Sequence, residues 1–305
     1  MDYQVLLYYK YIPVANPEDL RISQRFLCES LQLTGRIIVA TEGINGTIGG
    51  TIESTEKYIE NMRSDPRFAD VHFKKSKGIS DTFPRLSIKV RSEIVSTHIT
   101  SVVLDPHTAT ARHLAPEMLN TWYREGKKFK VIDMRNTYEL EVGKFKNSLD
   151  PETTNFRDLP QSLQKLKVYK DETIVAVCTG GVRCEKASQY LKTQGFKDVY
   201  QLDGGIVTYM EKYPGQDFEG TLYTFDKRKT LDFCAPGQKK VIGKCLHCEV
   251  STETIVDCAD DMCHSQITCC ENCVNKYEGI VYCKKCNNAN GVPLPEGRYM
   301  TRIIL

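Results

Sequence analysis

Four cysteine pairs crowd the C-terminal part of the chain, and they restrict its fold more than any other feature. Cys245-Leu-His-Cys248, Cys258 with Cys263, Cys270-Glu-Asn-Cys273 and Cys283-Lys-Lys-Cys286 each place two sulfurs within a turn of one another. Such spacing lets both thiolates face one ion, and four pairs suffice for two tetrahedral Zn–S4 sites. A stretch so poor in large apolar residues cannot build a core alone, so metal binding is folding energy there. Any two pairs can share an ion at this level. His247, His264 or Cys269 can replace a neighbour as ligand, and Cys234 looks spare. An iron–sulfur or reduced-thiol cluster is the alternative to two structural zinc ions.

Ten of the 13 cysteines lie between residues 234 and 286, and only Cys28, Cys178 and Cys184 precede them. In a secreted chain this crowding would suggest disulfides. The opening Met1-Asp-Tyr-Gln-Val-Leu-Leu-Tyr-Tyr-Lys10, however, breaks its short apolar run with a lysine, does not read as a signal peptide, and no later run approaches a membrane span. The expectation is metal ligation in a reducing cytoplasm, away from membranes. At 305 residues the chain calls for two or three domains. With 41 basic and 39 acidic residues, any polyanion site must be a local patch.

Residues 1–95 read β-α-β-β-α-β. Tyr3 to Tyr11 is a strand, Asn16-Pro17 caps a helix running to about Leu33, and Gly35 to Thr41 is a second strand that Glu42-Gly-Ile-Asn-Gly46 turns into a third. A helix from Glu53 to Ser64 precedes strands near Asp70 to Phe73 and Leu86 to Val90. That order is the one of a ferredoxin-like, or acylphosphatase-like, α+β sandwich. Gly43 and Gly46 serve either a hairpin turn or close approach of a substrate. Lys74, Lys75, Lys77, Arg85, Lys89 and Arg91 are either a solvated face or a local cationic surface. Lys227-Arg-Lys229 and the lysines from Lys239 to Lys244 pose the same choice.

Residues 96–114 read as a linker. From 115 to 215 strands alternate with helices, which implies a parallel sheet covered on both faces, and 216–305 form the cysteine-rich region. In the middle segment the apolar run Ile174 to Val177 stops at Cys178, passes through Thr179-Gly180-Gly181-Val182-Arg183-Cys184, and resumes as a helix ending at Gly195. Cys178 alone could be a packing residue. Two glycines, Arg183 and a following helix instead make a cradle of backbone N–H groups and fixed positive charge, which favours thiolate over thiol. Cys184 either packs in the first helical turn or acts as a resolving thiol for Cys178.

Val131-Ile-Asp-Met-Arg135, Glu139, Gly143, the Cys178 loop and Gln201-Leu-Asp-Gly-Gly-Ile206 resemble the rhodanese domain, with Cys178 at its sulfur-accepting cysteine. The six residues from Cys178 to Arg183 match sulfur-handling rhodaneses; the related phosphatases carry one residue more, enough to hold phosphate. Together with Glu42-Gly-Ile-Asn-Gly-Thr47, Asp65-Pro-Arg-Phe68 and the cysteine-rich tail, the whole chain resembles the bacterial tRNA uridine(34) hydroxylase family. The resemblance implies an oxidoreductase that makes 5-hydroxyuridine at the wobble position, with molecular oxygen as co-substrate. It implies Cys178 and Arg183 as catalytic residues within the active loop, and an anticodon arm held by the N-terminal domain and the tail. Glu42, Asn45, Lys74, Lys75 and Arg85 are the candidate substrate contacts. No flavin motif, haem signature or iron triad stands out, so the electron donor is unknown. The rival expectations are a sulfurtransferase and a non-catalytic RNA- or protein-binding adaptor.

Overall fold

The computed structural model describes residues 2–289 apart from 100, 103 and 264, so His264 lies outside the described residues. Strand β1 (Tyr3–Tyr11) leads into α1 (Pro17–Ser30), whose first turn is capped by the Asn16 side chain accepting from the Glu18 and Asp19 N–H groups. Strands β2 (Thr34–Ala40) and β3 (Gly43–Thr51), helix α2 (Ile52–Ser64), β4 (Lys74–Gly78) and β5 (Leu86–Val90) complete the first unit. Its sheet runs β4-β1-β3-β2-β5, antiparallel except for the parallel β2–β5 edge. This is the expected ferredoxin-like sandwich with one added edge strand. Its core, including Leu6, Tyr8, Ile37, Val39, Ile48, Tyr58 and Met62, lies between the sheet and the two helices.

Three sequence expectations shift here. Helix α1 stops at Ser30 rather than Leu33, because Gln32 takes φ 54° and turns the chain. Ala40 pairs directly with Gly43, so only Thr41 and Glu42 form the hairpin tip, and Gly43 to Gly46 are strand. The glycines serve packing: a Cβ on Gly43 would sit 2.1 Å from the Lys10 carbonyl oxygen, and one on Gly46 would sit 2.3 Å from the Tyr8 ring. The strand expected at Asp70 to Phe73 begins instead at Lys74. Val71 and Phe73 do alternate into the core, but the hydrogen-bonded ladder with β1 covers only Lys74 to Gly78.

The second unit begins earlier than expected. A short helix α3 (Pro106–Ala109) is followed by β6 (Arg112–Leu114), which pairs with a later strand. The stretch read as a linker therefore supplies part of a sheet, and Val95, Ile99 and Leu104 pack on its core. Then come α4 (Pro116–Arg124), β7 (Lys130–Asp133), α5 (Thr137–Val142), β8 (Gly143–Phe145), α6 (Leu159–Ser162) between two 3-10 turns, β9 (Thr173–Val177), α7 (Val182–Thr193), β10 (Asp198–Leu202) and α8 (Gly205–Lys212). The sheet order is β6-β10-β9-β7, parallel throughout. In β9, Ile174 and Ala176 enter one core while Val175 and Val177 enter the other. That explains the unbroken apolar run: both faces of the strand are buried.

Beyond residue 217 the chain forms short pairs rather than a layer. Strand β11 (Phe218–Gly220) pairs with β8, β12 (Leu222–Tyr223) with β13 (Thr230–Leu231), and β14 (Ile255–Asp257) with β15 (Gln266–Thr268). Helices α9 (Glu271–Lys276) and α10 (Lys284–Ala289) follow. The tail core is mainly cysteine, joined by Ile267, Val274, Tyr277 and Val281. Among the described residues no helix is long and apolar enough to cross a membrane.

Candidate active site

Cys178 stands at the carboxyl end of β9, fully buried, where the loop to α7 curls round its sulfur. The Gly181 N–H donates to Sγ at 3.2 Å. Burial alone would push this thiol up. The Cys184 thiol, the Arg183 guanidinium and the backbone N–H groups of Cys184 and Gly181 outweigh that and bring it down to about 6. Cys184 moves the opposite way, well above an ordinary thiol, because it is buried and donates to the Cys178 thiolate. The two form one hydrogen-bonded pair of free thiols in which Cys178 holds the charge and Cys184 the proton. Alkylation of Cys178 by iodoacetamide should therefore follow a titration with its midpoint near pH 6. Cys184 should stay unreactive across that range, and peptide mass spectrometry after timed labelling separates the two.

Arg183 is a buried anchor as well as a cation. Its two terminal nitrogens donate to the Glu139 carboxylate at 2.7 and 2.9 Å, and Nη2 also reaches Thr179 Oγ1 at 3.2 Å. Glu139 is wholly buried and also accepts from the Asn136 N–H, which ties α5 to the loop. The glycines have a reason that spacing did not reveal. Strand β1 lies directly on the loop, so a Cβ on Gly180 would sit 2.9 Å from Leu7, and one on Gly181, at φ 106°, would sit 2.7 Å from the Tyr9 hydroxyl.

The two residues after Cys184 fasten the domains together. Tyr9 donates its hydroxyl to Glu185 Oε1 at 3.0 Å, and Tyr11 donates to the Val182 carbonyl at 3.2 Å. Lys186, almost fully buried, bonds Glu42 at 2.8 Å and Glu93 at 2.7 Å. The helix that begins at the thiolate is thus pinned to the open face of the N-terminal sheet. Between them lies a cavity of about 370 Å³, with Cys178, Thr179, Gly180, Val182 and Arg183 at one side. Leu7, Tyr9, Ile38, Asn45 and Thr47 of the sheet form the other side, and Phe156, Arg157 and Phe225 complete the wall.

The tail cysteines gather as two foursomes, Cys245, Cys248, Cys270 and Cys273, and Cys258, Cys263, Cys283 and Cys286, with all sulfurs of a group within 4.8 Å of one another. The first pair joins the third and the second joins the fourth. Four thiolates at Zn–S distances of about 2.3 Å stand about 3.8 Å apart in a tetrahedron. The Cys248–Cys270 and Cys263–Cys283 separations, 3.6 Å each, fit that edge. Cys269 and Cys234 belong to neither group, and His247 instead sets its ring edge-on to Tyr277 at 5.3 Å.

Known proteins match this arrangement from end to end. Residues 3–94 match the model described as the UPF0176 acylphosphatase-like domain, 116–212 the rhodanese-like domain and 219–287 the rhodanase C-terminal model. The tRNA uridine(34) hydroxylase of Corynebacterium urealyticum is 40% identical over 93% of this chain and 96% of its own length. The chain belongs to the tRNA uridine(34) hydroxylase family. The relative of that name from Staphylococcus carnosus is 39% identical over 94% of this chain and 90% of its own, and that from Onion yellows phytoplasma 40% identical over 98% and 96%.

For a chain of this hydroxylase family the expected substrate contacts fall unevenly. Of the five N-terminal candidates only Asn45 lines the Cys178 cavity, with its Nδ2 also donating to the Ile94 carbonyl at 3.0 Å. Glu42 holds Lys186 and the Ile94 N–H. Lys75 is paired with Glu56 at 2.6 Å on the helical side of the sheet, and Arg85 is exposed away from the cavity. Lys74 is buried under the Tyr9 ring, 5.5 Å from its centre, and burial lowers its amine. Tyr9, Arg36, Phe156, Arg157 and Phe225 were not foreseen. They come from four separate segments with no shared motif, Phe156 and Arg157 being neighbours in one 3-10 turn, and only the half-exposed Phe225 carries a visible anomaly, a large apolar side chain left in solvent.

Proposed function

We propose that this chain hydroxylates uridine 34 of tRNA at C5, in the cavity between the two domains, and that the Cys178 thiolate is the group on which the reaction depends. A single observation carries the reading: the lowered thiolate is the floor of a cavity whose walls are Leu7, Tyr9, Ile38, Phe156 and Phe225. Roughly 300–1,000 Å³ with mostly apolar walls is the usual form of a small-ligand pocket. An unstacked base from a single-stranded loop fits that description, since each base stacked on an aromatic side chain gains about 1–3 kcal/mol. Molecular oxygen is the co-substrate in this reading, and the anticodon arm is the part of the tRNA that enters.

Arg183 and Thr179 keep the loop closed round the sulfur, and Cys184 supplies the proton that the thiolate shares. The two cysteine foursomes hold structural zinc and fold the tail, and a reducing cytoplasm suits eight ligating thiols. The test is nucleoside mass spectrometry of tRNA from cells that lack the gene and are complemented with either the wild type or Cys178→Ala. The expected result is loss of 5-hydroxyuridine and its derivatives, restored by the wild type alone. Full restoration by Cys178→Ala would leave the loop as a recognition element. Unmodified tRNA together with efficient cyanide-dependent thiocyanate formation by the wild type would favour a sulfurtransferase.

A further inference from the structure

We infer that the open face of the N-terminal sheet carries a track for the phosphodiester backbone of a single RNA strand, built on Arg157, Arg36 and Lys89 and leading into the Cys178 cavity. The inference rests on the reading that a tRNA uridine is the substrate, and adds where the strand lies.

The placement follows from strand alternation. Ile37 and Val39 of β2 enter the core, so Arg36 and Ile38 fall on the opposite face, the one the rhodanese-like domain only partly covers. Strand β5 runs parallel beside it with Ser87 next to Arg36 and Lys89 next to Ile38, while Leu86 and Ile88 pack on the core side. One strand across and two residues along puts the Cα atoms of Arg36 and Lys89 about 8 Å apart. Arg157 reaches the same cavity from the other domain, beside Phe156.

Position and charge together single out these three. All three are exposed, and among the described residues none of them has a carboxylate partner. Four of the tail lysines that composition also pointed to are already answered, Lys227 by Asp81, Lys229 by Asp257, Lys239 by Glu253 and Lys240 by Glu219, while Lys244 bonds the Ser251 hydroxyl. The cavity mouth and the β5 edge therefore carry positive charge that, among the described residues, no carboxylate answers. A base held over Cys178 leaves its ribose at that mouth, so the phosphates on either side of it meet Arg157 and Arg36. The guanidinium fork suits a phosphate bidentately. Phe225, half exposed at the same opening, gives a neighbouring base a face to stack on, which an acidic protein segment would not use.

The test measures binding of unmodified tRNA to the full-length protein as a function of salt. Arg36→Gln/Lys89→Gln/Arg157→Gln should bind on the order of tenfold more weakly. The slope of log affinity against log salt should become shallower by about 2, since each backbone contact on a single strand is worth about 0.7. Lys239→Gln/Lys240→Gln should keep both affinity and slope. Wild-type affinity and slope in the triple variant, with an unchanged thermal melt, overturn the track, as does an equal loss in the tail variant. If the wild type itself neither binds nor modifies tRNA, the functional reading has failed. If it does both and the triple variant matches it, only the track has failed.

Discussion

Stripping metal from the full-length protein should unfold residues 245–286 while the two preceding domains stay folded. The expected signs are loss of far-UV ellipticity from the tail, rapid proteolysis confined to it, and a return of protection when zinc is restored. The size of the effect follows from what holds this segment. Apart from its cysteines, the buried apolar side chains at its centre among the described residues are Ile267, Val274, Tyr277 and Val281, with Ile255 at its edge, and its strands β14 and β15 are three residues each. A structural zinc site is worth about 10–16 kcal/mol near neutral pH, more than so small a core can supply. The interleaved pairing also makes the two sites interdependent. The strand between Cys263 and Cys270 belongs to both loops, so losing either ion frees it. Unfolding should therefore appear as one transition, and Cys273→Ala alone should release both ions. Unchanged ellipticity and proteolysis after complete metal removal would refute this, and two separate transitions would refute the coupling.

Loss of the tail should reach the cavity only weakly. Residues 222–231, which carry Phe225, are fixed to the body as well as to the tail. Lys227 N–H donates to the Thr82 carbonyl and Arg228 to Ser76 and the Lys77 carbonyl, against the Tyr223–Gln266 and Lys229–Asp257 contacts on the tail side. The alkylation midpoint of Cys178 near pH 6 should survive chelation, because every group that lowers it lies between Gly181 and Cys184.

What could be read from the sequence was what depends on near neighbours. The four cysteine pairs, the Asn16-Pro17 cap, the strand–loop–helix at Cys178 and the two-sided apolar run of β9 are all local patterns, and each stands where spacing put it. Features that depend on distant partners were not readable. The pairing of Cys245 and Cys248 with Cys270 and Cys273 crosses another pair and exists only once β14 and β15 meet. The glycines at 43 and 46 read as a turn or a substrate approach because glycine marks tight turns and close contacts of every kind, and composition cannot tell these from strand packing. Lys186, an ordinary surface residue by type, and Glu42, expected as a substrate contact, turn out to be the clamp between domains. The cavity wall is the extreme case: Tyr9, Arg36, Arg157 and Phe225 are brought together by domain packing alone.

Glu139→Gln and Arg183→Met should each destabilise the protein by about 3–5 kcal/mol, yet move the Cys178 thiol in different directions. The pair is almost wholly buried, with Arg183 donating twice to a carboxylate that has no exposure, and removing either partner leaves the other charge buried without its counter-charge. Glutamine at 139 keeps the shape but turns an amide N–H₂ toward the guanidinium. The cation then remains beside Cys178 without its counter-charge, so the alkylation midpoint should stay near 6 or fall. Methionine at 183 removes the cation itself, and the midpoint should climb toward the ordinary thiol value of 9.0. The sign carries into stability. A thiol held near 6 when folded and near 9.0 when unfolded stabilises the fold at high pH, and this contribution fades as pH falls through 6. The gap between wild type and Arg183→Met, measured by urea unfolding, should widen from pH 6 to pH 9. Replacing both partners with methionine should restore much of the stability, because a well-packed apolar pair can stand in for a buried ion pair, but it should not restore the lowered thiol. A double variant with its alkylation midpoint still near 6 would mean that the backbone cradle and Cys184 hold the thiolate unaided.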